Sequence, residues 1–67
     1  MKFQAVRDGQ FVDAPQATSE AAEAVIAEDK AHTATCYDQG WIMTFRPYDS
    51  GEAYVKDACR WWVRKVR

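Results

Sequence analysis

Residues 2–14 read KFQAVRDGQFVDA and contain a turn signal between two β-favouring segments. Its centre, Asp8-Gly9, favours a two-residue turn, because aspartate and glycine accept the positive φ angles that tight hairpin turns need. The β-favouring segments KFQAV and QFVDA stand on either side of the turn. We therefore predict a β-hairpin over residues 2–14, which becomes one bent strand if the turn is looser.

The same turn predicts which residues of the hairpin face each other. Counting outward from it sets Ala5 opposite Val12 and Phe3 opposite Ala14. Because side chains alternate between the two faces of a strand, these four form one apolar face. The other face receives the polar side chains Lys2, Gln4 and Asp13.

A helix is predicted after Pro15, which cannot donate to a sheet ladder and therefore ends the hairpin. Thr18 or Ser19 can serve as the N-cap, and the alanine-rich run that follows favours a helix to about Ala31. The buried stripe follows the helical period and is narrow, with Ala22, Val25, Ile26 and Asp29 as its members.

Residues 33–46 predict a second hairpin, because β-favouring residues flank Gln39-Gly40 on both sides. The pairs expected on its core face are Cys36 with Met43 and Ala34 with Phe45. Pro47 restricts the residue before it and ends this strand.

The sequence DSGE at residues 49–52 matches a capping box and predicts a second helix that runs to near the C-terminus. Its buried stripe would consist of Val55, Cys59, Trp62 and Val66. A hairpin over residues 52–67 is the competing interpretation, because Trp and Val favour strands.

Together these elements predict an α+β fold, in which two helices pack on a small antiparallel sheet of three to four strands. The order would be ββαββα, or βαββα if the first hairpin is a single strand. With 67 residues, 48% hydrophobic and 28% charged, we expect one globular domain over residues 1–67. No apolar run of secretory or membrane-spanning length occurs, so we expect a cytoplasmic protein that does not cross a membrane, either a monomer or a homodimer.

The charge is uneven along the chain. Residues 1–33 carry three basic and six acidic side chains, while residues 34–67 carry six basic and four acidic ones. Among the last twelve residues, Asp57 is the one acid, against the bases Lys56, Arg60, Arg64, Lys65 and Arg67. This end of the chain therefore predicts a basic patch.

No residue pattern indicates catalysis, a cofactor or a metal. His32 is the only histidine and would lie at the end of the first helix, where it can bond the last carbonyls. Cys36 and Cys59 fall on predicted core faces, outside any CxxC motif, so we interpret them as reduced, packed thiols.

The segment RWWVRKVR at residues 60–67 is the unusual feature of the sequence. Our first hypothesis is a non-enzymatic protein-binding module, an inhibitor or regulator, because Trp and Arg dominate interface hot spots. The expected partner-binding residues are Trp41, Arg46, Arg60, Trp61, Arg64 and Lys65. The alternative is nucleic-acid binding by the basic C-terminal helix, with Trp61 or Tyr54 stacking on a base. A third interpretation leaves Trp62 in the core and the arginines as a solvated face.

The order of the predicted elements is also similar to that of a known class of small proteins. A strand or hairpin ending FVDAPQ is followed by the helix TSEAAEAVIAEDKA, the hairpin TATCYDQGWIMTF and the tryptophan-rich end CRWWVRK. This layout resembles small phage-encoded inhibitors of the anti-CRISPR kind. The resemblance covers most of the chain without a diagnostic motif. It implies a non-enzymatic protein that blocks a bacterial nucleoprotein complex through its surface.

Overall fold

The computed structural model describes residues 1–67 and contains three strands and two helices. In chain order they are β1 (Lys2–Arg7), β2 (Gln10–Gln16), α1 (Ser19–Asp38), α2 (Gly51–Ala58) and β3 (Trp61–Val66). The predicted α+β class is confirmed, with a three-stranded antiparallel sheet and two helices. The observed order is ββααβ, however, and neither predicted order is correct. Neither helix combines the length and the apolar character that a membrane crossing requires.

The first hairpin forms where it was predicted. Asp8 and Gly9 connect β1 to β2 with φ angles of 51° and 88°, the pair of positive values that a type I′ turn requires. Ala5 pairs with Val12 as expected. Turn chemistry therefore sets the register next to the loop.

Farther from the turn, the register shifts by two residues. Phe3 pairs with Gln16, and the predicted pairing with Ala14 is wrong. The cause is an irregularity in β2 at Asp13, whose φ of 62° lies in the left-handed region. The extra residues bulge out of the ladder, and Ala14 is consequently exposed instead of lying on the core face.

Gln4 holds this bulge in place. Its side chain is only 1% exposed, although it is polar. Nε2 donates to the carbonyl oxygens of Val12 at 3.1 Å and Asp13 at 2.9 Å. It also donates to the Ala5 carbonyl at 3.1 Å, so the amide is hydrogen-bonded within the fold, which is why a polar residue can be buried here.

Helix α1 starts as predicted but runs farther. The Thr18 side chain caps it by accepting a hydrogen bond from the backbone of Ala21, and Ala22 and Ile26 are buried. The predicted end near Ala31 is wrong, because helical hydrogen bonds continue to Asp38.

Gln39-Gly40 ends this helix and does not form a hairpin turn. Gly40 has a φ of 82°; its N–H donates to the carbonyl of Tyr37, and the N–H of Trp41 donates to that of Cys36, both at 3.0 Å. These two bonds define a Schellman motif. A Schellman motif and a tight turn both need a residue at positive φ, so the glycine signal was correct and its interpretation was wrong.

The predicted hairpin over residues 33–46 is therefore absent. Residues 33–38 belong to α1, and residues 41–50 form no regular element. The pairings of Cys36 with Met43 and of Ala34 with Phe45 do not occur. Thr35, a strand-favouring residue, is accommodated in the helix because its hydroxyl donates to the Ala31 carbonyl at 3.0 Å.

The second helix begins as predicted and ends early. The Ser50 side chain accepts from Ala53 N at 3.2 Å, but α2 stops at Ala58, and Cys59 is extended. Both interpretations of residues 52–67 are wrong. A helix to near the C-terminus does not form, because residues 61–66 are a strand, and a hairpin does not form, because residues 51–58 are a helix. The stripe predicted from a helical period does not exist.

Strand β3 forms because β1 offers it an edge. The two strands pair antiparallel from Arg7 with Trp61 to Lys2 with Val66, which gives the sheet order β2-β1-β3. Asp8 fixes the start of this ladder. Its N–H donates to the Arg60 carbonyl at 2.9 Å, and its carboxylate accepts from Arg60 N at 3.0 Å.

Both helices lie on one side of the sheet. Helix α1 packs on the face that carries Ala5 and Arg7, and α2 packs on α1. Gly51 is buried where α2 meets α1, with its N–H donating to the Asp38 carboxylate at 2.7 Å. No helix covers the opposite face of the sheet. The buried residues are Gln4, Ala5, Val6, Ala22, Ile26, Thr33 and Gly51.

Candidate binding surfaces

The predicted partner-binding residues do not form one surface. Because residues 61–66 are a strand, their side chains alternate between the two faces of the sheet. Trp61 and Lys65 lie on the side of α1, whereas Arg64 lies on the uncovered side. Arg60 precedes the strand beside the Asp8 turn. The cationic helix that was expected to gather these residues, or to bind nucleic acid, is absent.

Trp61 has a structural role at the sheet–helix contact. Its Nε1 donates to Asp29 Oδ2 at 2.8 Å. The same carboxylate accepts two hydrogen bonds from Arg7 Nη1, at 3.1 and 2.9 Å. Lys30 Nζ lies 5.5 Å from the centre of the indole ring. The indole is therefore engaged within the fold.

The other two predicted residues, Trp41 and Arg46, lie together in the connection between the helices. We call residues 41–45, WIMTF, the apolar loop. Trp41 is 77% exposed, Met43 is 93% exposed and Phe45 is fully exposed. These three side chains recur at every second position, which is the period of one strand face. The sequence predicted Met43 and Phe45 on the core face of a hairpin with residues 33–38; those residues are helical, and both side chains are exposed instead.

The apolar loop is fixed at both ends. It begins at the Schellman motif that ends α1, and after it Tyr48 packs with Tyr37 of α1 and Tyr54 of α2. The rings of Tyr37 and Tyr54 stack at 4.7 Å, and Tyr48 lies edge-on to Tyr54 at 5.5 Å. The backbone N–H of Tyr48 donates to the Tyr37 hydroxyl at 2.8 Å, and Arg46 lies 6.0 Å from the Tyr48 ring centre. The exposed segment is thus held between two ordered anchors.

The ionisation of Tyr54 is perturbed by its surroundings. Burial raises its pKa above the ordinary value of 10.0, and its interaction with Cys59 acts in the same direction. The folded state therefore favours the neutral phenol of Tyr54 over the phenolate.

The uncovered face of the sheet is the second candidate surface, which we call the open sheet face. Phe11, Val6 and Trp62 form one row across the three strands, since Val6 pairs with both aromatic residues. Phe11 is 59% exposed and Trp62 is 44% exposed, and the Val6 between them is buried. The same face carries Gln4 opposite Arg64 in the next row, and Lys2 opposite Val66 beyond it. The helical period predicted for the C-terminal segment placed Trp62 in a buried stripe, which is wrong, and Phe11 was assigned to neither face of the predicted hairpin.

Charge separates the two layers of the molecule. The strand-forming residues 1–16 and 59–67 carry six basic and two acidic side chains, a net charge of +4. Residues 17–58, which include both helices, carry three basic and eight acidic ones, a net charge of −5. The sheet is therefore the cationic layer and the helices are the anionic layer.

A cavity of about 580 Å³ lies on the helical side of the sheet, between the hairpin and the two helices. Its lining includes Arg7, Asp29, His32, Cys36, Tyr54 and Cys59. His32 does not lie at a helix end, as predicted, but within α1, with Nε2 3.5 Å from Cys36 Sγ. Both cysteines are free thiols. No group of three or more His, Cys, Asp or Glu side chains is arranged to hold a metal ion.

The chain matches no protein-family model, no curated protein and no solved structure. Its function is therefore inferred from the apolar loop, the open sheet face and the separation of charge.

Proposed function

We propose that this protein is a non-enzymatic binding module, which acts in the cytoplasm as an inhibitor or regulator of a bacterial macromolecular complex and contacts a protein partner through the apolar loop. The observation that carries the proposal is the exposure of Trp41, Met43 and Phe45 on one short segment.

Energetics favour a partner for this segment. Burying a Phe or Met side chain contributes about 1.5–3 kcal/mol, so leaving Met43 and Phe45 in water forgoes stabilisation that a packed core would supply. Trp and Arg are the commonest hot-spot residues of interfaces, and Trp41 and Arg46 flank the two. The composition of residues 41–46 is thus that of an interface centre, where charged residues other than Arg are scarce.

Anchoring at both ends makes the segment suitable for tight binding. The Schellman motif at Gly40 and the Tyr48 contacts with Tyr37 fix the positions where the loop begins and ends. A segment held near its bound conformation loses less conformational entropy on association. Affinity then depends on the side chains of the loop rather than on folding of the loop.

Affinity capture from a bacterial lysate tests the proposal, with the tagged protein as bait and the partner identified by mass spectrometry. The double variant Met43→Asp and Phe45→Asp should lose the partner. The matched control, Ala24→Asp and Ala31→Asp, adds the same two charges at exposed positions of α1 and should retain it. Retention of the partner by the loop variant, at the level of the control, would show that the apolar loop is not the interface.

A further inference from the structure

The open sheet face has the geometry of a stacking platform. Neighbouring strands lie about 4.8 Å apart, so the backbones at Phe11 and Trp62, on the two strands flanking β1, are separated by about 10 Å. Val6 between them is buried although no helix covers this face, so its aromatic neighbours cover it. Phe11 and Trp62 themselves remain about half exposed, and each presents surface on which a base can stack.

Cations lie beside these rings on the same face. Arg64 follows Trp62 by two residues and Lys2 lies in the row beyond, so both side chains leave the sheet on the uncovered side. Both residues are exposed. The carboxylate of Asp13, in the β2 bulge, already accepts the N–H of Ala14 at 2.7 Å. The face therefore pairs two aromatic rings with two unengaged positive charges.

The charge of the whole molecule indicates the class of ligand. Arg7 is paired with Asp29, and Lys65 lies on the side of α1, so Lys2 and Arg64 are the cations of the open sheet face. The sheet layer as a whole, with its net charge of +4, attracts a polyanion, and the helical layer, with its net charge of −5, repels it. An anionic chain would consequently approach with the open sheet face in front.

We infer that the open sheet face binds single-stranded nucleic acid, with bases stacked on Phe11 and Trp62 and phosphates contacted by Lys2 and Arg64. A single strand fits because its unpaired bases expose faces for stacking, whereas the bases of a duplex are already stacked. This surface is separate from the apolar loop, and the two bind independently.

Fluorescence anisotropy with labelled oligothymidylate and oligouridylate, beside a duplex of the same length, tests the inference on the full chain. Trp62→Ala should weaken binding to the single strands about 5- to 150-fold, the loss expected for one stacked base. Trp62→Phe, which keeps an aromatic ring, should recover most of it. Trp41→Ala, in the apolar loop, is the matched control and should bind as the unaltered protein does.

Salt dependence gives a readout that does not depend on the aromatic rings. Two phosphate contacts to a single strand predict a log–log salt slope of about −1.4. Arg64→Gln should reduce the slope to about −0.7. Arg64 is exposed, so this variant keeps the inference testable if Trp62→Ala fails to fold.

The inference is overturned if the single strands fail to bind at low salt, if the duplex binds equally well, or if folded Trp62→Ala binds as tightly as the unaltered protein. Suppose that the protein binds no oligonucleotide, but captures a partner from nuclease-treated lysate that Trp62→Ala fails to capture. The open sheet face would then be a protein interface. In that case the proposed role of the apolar loop would still stand, because its own test uses Met43 and Phe45.

Discussion

Trp61 and Asp29, which lie 32 residues apart in the chain, are joined by a 2.8 Å hydrogen bond from the indole Nε1 to the carboxylate. Arg7 binds the same carboxylate from β1. One acidic side chain of α1 thus docks the helix on two neighbouring strands.

Asp29→Ala should therefore destabilise the fold. The substitution leaves the indole N–H without its partner and removes the anion that faces Arg7, so we expect a loss of about 1–3 kcal/mol. Urea denaturation measures it. Glu28→Ala, one position away and exposed, should change the free energy of unfolding by less than about 0.5 kcal/mol. Equal midpoints for the two variants would contradict the docking role of Asp29.

Gly51→Ala should also be costly. A Cβ at this position would lie 2.6 Å from the carbonyl carbon of Ala34 and 2.8 Å from its Cα, and backbone atoms cannot move aside as a flexible side chain would. We expect about 1–3 kcal/mol of destabilisation from overpacking. The thermal midpoint should fall well below that of the control Lys56→Ala, on an exposed position of α2. An unchanged midpoint would mean that the two helices do not approach so closely.

Gln4→Leu should loosen the bulge in β2. Leucine fills a similar volume but cannot donate to the carbonyls of Val12 and Asp13, so we expect a loss of about 1–3 kcal/mol. Amide hydrogen exchange should accelerate in residues 10–16. Gln10→Leu, at an exposed position of the same hairpin, is the control. The idea fails if both variants exchange at the same rate.

The Tyr54 environment predicts a dependence of stability on alkaline pH. Its pKa is raised in the folded state, so the folded protein holds this proton more tightly than the unfolded chain does. The stabilisation is fully present below the ordinary pKa near 10 and is lost as the pH rises through the raised value. Tyr54→Phe should flatten this decline in unfolding experiments between neutral and alkaline pH. If the free energy of unfolding falls with pH equally in Tyr54→Phe and in the unaltered protein, Tyr54 is not the source of the decline.

Local signals predicted the parts of the fold that depend on a few neighbouring residues. The Asp8-Gly9 turn and the Thr18 cap each need only one to four adjacent positions, and both occur as expected. The box at residues 49–52 located the start of the second helix, but the observed N-cap is Ser50 and not Asp49, the acid that opens the box. Gln39-Gly40 was ambiguous, since a glycine at positive φ serves a turn and a helix end equally well.

The last segment could not be assigned locally, because its structure is set by β1. Residues 61–66 become a strand through pairing with residues 2–7, about sixty positions earlier. Because the side chains of residues 61–66 alternate between two sheet faces instead of following a helical period, this pairing also determines which of them reach the open sheet face. It turns Trp61 towards α1 and Trp62 towards solvent, whereas the helical period placed Trp62 in the buried stripe.

The central position of β1 in the order β2-β1-β3 has a consequence for biosynthesis. The middle strand is translated first, and one of its edges receives its neighbour only after residues 8–60 have emerged from the ribosome. Until then that edge is open to mispairing with other nascent chains. Since such distant pairing also slows folding, the sheet is completed late, after residues 61–66 have been made.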